Sequence, residues 1–304
     1  MIMKKNALIA LFAFAIAGFS LTSCSDSDDA PVTQDPIENP NPDPNPDPNP
    51  NPNPVTTRYQ HKVLIEDVTG TWCQYCPRVS YAIQQVKANE VHGDKVVPVA
   101  IHYSPYVQYP DPMQISAGPI LDELFSNSYG LTGYPFGLIN RTNKWTSPEN
   151  NNLAQVFNAI NQQGSSVGIK ISSNLTTTGG TITADFNFSE GYQNLKYTIY
   201  VLEHNVITPD SPQSNSTGYF NGEGANFVHN DVLRAVSGTV TGNTLGTVTA
   251  GQSITKDNQT VEYTLFNNDL SKVEVVVFVT DASGKVLNVQ VAPANTAIEY
   301  QMLN

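Results

Sequence analysis

Past residue 58 the apolar positions change their period partway along the chain, and the change marks two kinds of structure. Val63-Leu64-Ile65 is a short, wholly apolar run, the pattern of a strand buried on both faces. A stripe at Val79, Ala82, Ile83 and Val86 follows at helical spacing, and residues 96–101 read as a second strand. Strand, helix, strand in this order predicts a right-handed crossover onto a parallel neighbour. Pro98 has no amide donor and predicts an edge or a bulge for the second strand. Ile120, Leu121, Leu124 and Phe125 predict another helix, and residues 136–139 a short strand. Leu153, Val156, Phe157 and Ile160 predict a third helix, with Ser147 as N-cap, Pro148 in its first turn and Gly164 as its stop.

Beyond Gly164 the period falls to two. Ile182/Ala184/Phe186/Phe188 and Val261/Tyr263/Leu265 alternate strictly, residues 197–202 and 273–279 are apolar runs, and Gly179-Gly180 and residues 281–284 supply turns. About 140 residues without a convincing helix predict an antiparallel β-sandwich. The expected fold class is therefore α/β followed by all-β, with an α/β domain over 58–164 and the sandwich over 165–304.

The N-terminus adds compartment. Lys4 and Lys5 precede an apolar run from residue 7 to 19, too short to cross a bilayer and read as a secretory signal over 1–23. Residues 24–57 form a tether in which every second residue from 40 to 54 is proline, alternating with Asn or Asp, so neither helix nor sheet can form there. A polyproline-type spacer of that length reaches on the order of 45 Å. Without the signal, 13 basic residues stand against 27 acidic ones, and seven of the acids lie in the tether. So acidic a chain, with no basic cluster, offers phosphates nothing to bind, which excludes nucleic acid as a partner.

Candidate chemistry rests on Trp72-Cys73-Gln74-Tyr75-Cys76-Pro77. The chain has three cysteines, and the pair sits after a predicted strand at the start of a predicted helix, the setting that makes C-x-x-C a redox motif. Free amide donors and the positive end of the helix dipole favour a thiolate there, so Cys73 is the expected nucleophile and Cys76 the resolving thiol. The same pair also suits a structural disulfide. Metal suits it least, because a structural zinc needs four ligands and nothing in the sequence completes the set; no metal and no cofactor are expected. His102 is placed to approach the pair from the end of its strand, or to be an ordinary loop histidine.

Three resemblances extend this reading. Leu21-Thr22-Ser23-Cys24 resembles the lipobox of Gram-negative lipoproteins, which implies acylation of Cys24 and a membrane anchor; Ser25 after the cysteine implies the outer membrane, and the acids at 26, 28 and 29 resemble export tags of surface lipoproteins. The strand ending in Asp67, the Trp72-Cys73-x-x-Cys76 motif and the amphipathic helix resemble the thioredoxin superfamily. That resemblance implies a thioredoxin-like domain, a proton-handling role for Asp67, a cis-proline at Pro135 that docks client backbone, and tuning of the redox potential by Trp72, Gln74 and Tyr75. Gln74-Tyr75 departs from the Gly-Pro of thioredoxin, so the direction of electron flow stays open. Taken with the lipobox, the Pro/Asn spacer, Gly133-Tyr134-Pro135 and His229-Asn230-Asp231-Val232-Leu233-Arg234, the chain resembles the outer-membrane-protein-28-related lipoproteins.

Two functions are expected. One is thiol-disulfide exchange with envelope or cell-surface proteins through Cys73 and Cys76. The other is a non-catalytic binding or adhesin module, in which the cysteine pair is structural and the Gly/Asn/Ser-rich stretch 208–230 with Tyr219 and Phe220 is a recognition loop.

Overall fold

β1 (Val63–Thr69) is buried at every position, which requires cover on both faces, and the chain supplies it from two directions. The computed structural model describes residues 57–220 and 224–303; Cys24 and nearly all of the tether lie outside them. α1 (Pro77–Lys87) turns its predicted stripe of Val79, Ala82, Ile83 and Val86 inward. With Ile65, Trp145, Val156 and Ile160 this stripe makes one core. β2 (Val96–His102) pairs in parallel with β1, from Val63 opposite Val96 to Thr69 opposite His102. α2 (Gly118–Tyr129) covers the opposite face through Leu121 and Phe125. β3 (Phe136–Ile139) runs antiparallel along the other side of β1, followed by β4 (Asn143–Lys144).

The remaining strands are β5 (Val167–Thr176), β6 (Gly179–Phe188), β7 (Tyr192–Glu203), β8 (Val232–Ser237), β9 (Asn243–Val248), β10 (Ser253–Glu262), β11 (Val273–Thr280), β12 (Val286–Pro293) and β13 (Ala297–Ile298). They do not close a sandwich of their own. β8 lies in parallel beside β2, with Ala100 opposite Val232 and the Ala100 amide donating to Asp231 O at 2.7 Å. The large sheet thus runs β12-β11-β7-β8-β2-β1-β3-β4, with β9 also on β7, and takes strands from both sides of Gly164. A smaller sheet, β10-β6-β5-β13, packs against one face of β7 and β11.

This corrects the expected fold class. Instead of an α/β thioredoxin-like domain followed by a separate all-β sandwich, the chain is mostly β, with three α-helices among the described residues and two sheets. The physical reason is the flank of β2: left unpaired, it would present a row of free backbone donors and acceptors, and β8 adds onto it. Side chains on the two faces of a strand alternate, so one face of the large sheet is shared throughout. Leu64, Val99 and Ile101 from the first strands meet Tyr200, Leu233, Val276 and Phe278 from the later ones under α2.

Two local expectations also change. Pro98 lies in an interior strand rather than at an edge; β8 pairs with β2 only at Ala100, so the amide that Pro98 lacks is not demanded by a ladder. The third helix is short: α3 spans Ala154–Asn158, and Pro148, which follows a cis peptide bond after Ser147, precedes a separate 3-10 turn at Glu149–Asn151 instead of starting the helix.

Candidate functional site

Residues 70–76 link the C-terminal end of β1 to the start of α1. The Cys73 amide donates to Gly70 O and the Cys76 amide to Cys73 O, two turns that fold the loop tightly. Gly70 is needed for a close approach, since a Cβ there would stand 2.5 Å from Nε1 of Trp72. Cys73 and Cys76 form a disulfide across this loop. Cys76 is the residue before α1, and Pro77 occupies the first helical turn, where its missing donor costs nothing. Cys73 is 4 % exposed and Cys76 1 %.

Trp72 lies over the loop, with its indole N–H donating to Tyr103 O at 3.1 Å. Its ring meets Tyr106 edge-on at 4.9 Å and Tyr134 at 5.2 Å. Tyr134 precedes Pro135, and the peptide bond between them is cis. Trp72, Cys73, Cys76 and the Tyr134-Pro135 pair are therefore gathered at one end of β1 and β3. Gln74 and Tyr75 are exposed on the outer side of the loop.

Asp67 faces inward from β1, directly opposite Ala100 on β2 and Gly137 on β3. It is fully buried, and its Oδ1 has no hydrogen-bond partner in the protein. Burial pushes its carboxyl well above the usual value, Glu149 and Asp231 push the same way, and Arg78 partly offsets them. These surroundings favour its protonated form.

A second acid escaped sequence reasoning. Asp111 accepts from the Thr71 amide at 2.8 Å, from the Met113 amide at 2.8 Å and pairs with His102 Nδ1 at 2.9 Å. Burial opposes its charge, but His102 and the two amides outweigh it and hold the carboxyl below its usual value. Asp111 thereby anchors the disulfide loop to the end of β2. No local pattern around residue 111 signals this, because the loop residue it holds, Thr71, lies 40 residues away.

The segment 211–220 is a strap across the same loop. The Ser214 amide donates to Thr71 O at 2.7 Å and the Ser216 amide to Gln74 O at 2.8 Å. The buried Gln213 side chain donates to Cys73 O at 3.0 Å and Gly70 O at 3.2 Å. Tyr219 stacks on Tyr81 of α1 at 4.3 Å. The sequence marks this stretch as a loop with aromatic residues, but not as a partner of the cysteines. Among the described residues no group of three or more His, Cys, Asp or Glu is placed to hold a metal ion.

Fold and site together define a class: a β-rich protein whose large mixed sheet presents a disulfide at the start of its first helix, with a buried acid on the strand that leads into it. The chain belongs to the outer membrane protein Omp28 family, whose profile matches residues 122–297, and with that it is a protein of the outer membrane or cell envelope. The matched stretch starts after the disulfide, so membership bears on α2 and the later strands rather than on residues 73–76. Two solved structures are similar. HBP35 of Porphyromonas gingivalis aligns with a TM-score of 0.59 and 18 % identity over 79 % of this chain and 77 % of its own. A protein of Agrobacterium tumefaciens, solved by X-ray crystallography, aligns with a TM-score of 0.51 and 15 % identity over 79 % of this chain and 98 % of its own. At these identities the likeness is one of fold. No curated protein matches the chain.

Proposed function

We propose that the chain exchanges disulfides with other envelope proteins through Cys73 and Cys76. The observation that carries the reading is the placement of the disulfide immediately before α1, with the buried acid Asp67, whose Oδ1 has no partner, on the strand that leads into the loop. A client thiolate attacks Sγ of Cys73, the bond to Cys76 breaks, and Cys76 leaves with the electron pair and takes a proton from Asp67. A second client thiolate then displaces Cys73, so the client gains a disulfide and the protein becomes a dithiol. The reverse sequence reduces a client. Pro135 and Trp72 form the wall against which client backbone lies. The same reading places the protein on the outer membrane through lipid on Cys24, with 24–57 as its tether.

One observation favours a second reading. Both cysteines are nearly sealed and the strap is bonded to their loop, as in a binding module whose disulfide only stiffens the scaffold beneath residues 211–220. An insulin-reduction or scrambled-ribonuclease assay separates the two. Exchange predicts turnover by the wild type and its loss in Cys73→Ser; equal inactivity of the two proteins rejects exchange and leaves the binding module.

A further inference from the structure

Between β1, β2 and the first turns of α1 lies a chamber of about 50 Å³ lined by Asp67, Thr69, Ser80, Gln84, His102 and His229 among others; Ser80 stands one helical turn after Cys76, to whose carbonyl its amide donates. A water molecule needs roughly 10–15 Å³ of such space, so the chamber has room for a short chain of three or four. Two of its polar groups are buried without a partner in the protein: Oδ1 of Asp67 and Nε2 of His229. Buried polar atoms are hydrogen-bonded as a rule, and where protein groups are missing an ordered water fills the role. His102, on the same wall, pairs through Nδ1 with Asp111 and bonds to neither group.

The position of His229 is tightly set. Its amide donates to Val206 O at 2.8 Å and its carbonyl accepts from the Val206 amide at 2.9 Å. Its ring rests on Phe227 at 4.7 Å and meets His102 edge-on at 5.0 Å. It opens the motif 229–234, whose Asp231 and Val232 join β8 to β2, so the segment that leads into this strand also brings the imidazole to the chamber that Asp67 lines.

We propose that His229 is a proton-positioning residue for the Cys73–Cys76 pair, coupled to Asp67 by water held in the chamber between them. The inference rests on the exchange reading and adds to it. In disulfide formation on the protein, Cys76 loses its proton as its sulfur attacks the mixed disulfide on Cys73, the Cys73–Cys76 bond forms, and the client sulfur leaves with the electron pair as a thiolate. The Cys76 proton goes to Asp67, which is free to take it only after passing its own proton through the water to Nε2 of His229. In the opposite direction the proton returns by the same route. Burial, with the neighbouring His102 adding to it and Asp111 partly offsetting it, lowers the His229 value to about 3, so the ring is neutral at rest and holds a proton only transiently, while a carboxylate stands at Asp67. The carboxylate that forms when Asp67 gives up its proton raises the proton affinity of the ring across the chamber. The charged groups facing Asp67 are Glu149, Asp231 and Arg78; those facing His229 are His102 and Asp111.

The test is an imidazole NMR titration of the full mature chain, in the disulfide form and after reduction by a water-soluble phosphine. The proposal predicts that the His229 titration moves by about one pH unit between the two forms and that Asp67→Asn abolishes the difference. Titration of His229 that ignores the redox state, or that responds equally in Asp67→Asn, overturns it. As a second measurement, His229→Gln keeps a hydrogen-bonding group but carries no proton. It is expected to slow closure of the Cys73–Cys76 bond about tenfold at neutral pH and to move the acid limb of the rate profile upward; an unchanged profile overturns the proposal. The titration is read on the protein alone, so equal inactivity of wild type and Cys73→Ser on insulin would sink the exchange reading and leave the coupling between Asp67 and His229 to stand or fall by itself.

Discussion

Replacing Gln213 by alanine is expected to let a small dithiol reduce the Cys73–Cys76 disulfide about 30-fold faster than in the wild type. Cys73 and Cys76 are both buried, so a reductant reaches them only when the loop and the strap part. Gln213 contributes two of the bonds that hold them together, to Cys73 O and Gly70 O, and intramolecular hydrogen bonds of this kind are worth about 1 kcal/mol each. Losing about 2 kcal/mol raises the open population roughly 30-fold, and reduction that proceeds through local opening follows that population. The two backbone bonds from Ser214 and Ser216 remain in the variant, so the fold should hold. Rates come from quenched-flow thiol labelling under excess dithiothreitol. A variant reduced no faster than the wild type would mean that the strap does not limit access.

The largest effect on stability is expected at Arg141. Its guanidinium donates to both carboxylate oxygens of Glu66 at 2.7 and 2.8 Å and to the Tyr200 hydroxyl at 3.0 Å, all of it buried. The Phe278 ring lies 4.9 Å away. Burial alone would lower the proton affinity of the guanidinium, but Glu66 overrides it and keeps the charge firmly in place. Arg141→Met leaves the Glu66 carboxylate buried without its partner, which costs about 3–5 kcal/mol. Replacing all three polar members, with Glu66→Leu, Arg141→Met and Tyr200→Phe, should recover most of that loss, because an apolar cluster of similar volume needs no compensation. Urea unfolding measures both. A single variant as stable as the triple would show that the network is not load-sharing between β1, the end of β3 and β7.

That network also explains what sequence reasoning could and could not reach. β1, α1 and β2 were legible because each carries its own signal: an unbroken apolar run for the buried strands and a 3.6-residue stripe for the helix that covers them. The alternation in β6 was equally clear, and all four of its apolar positions are buried. Periodicity says which face of a strand is buried, but it is silent on which sheet the strand joins. Val232 sits 132 residues after Ala100, and nothing in either segment announces that they pair. The separation into two architectures at Gly164 followed from that silence. Local helix signals misled as well: Ser147-Pro148 and Gly164 bracket a plausible helix, but its centre collapses to five residues around Val156.

At the site, the cysteine pair was legible as a spacing within one strand-loop-helix unit, and Asp67 was singled out only through the resemblance of that unit to the thioredoxin superfamily. Asp111, Gln213 and His229 could not be found that way, since each reaches the loop or the chamber from a distant part of the chain. The motif beginning at His229 was visible as a pattern, and the fold now supplies its place beside Asp67.

The most direct test of the account is the reduction potential of the Cys73–Cys76 pair in the full chain, measured by equilibration with glutathione redox buffers and thiol trapping. A disulfide that exchanges with envelope proteins should lie above about −300 mV, in the range of exchange-active dithiols. A value well below that would mark the bond as structural, and would contradict the exchange function assigned to these two sulfurs.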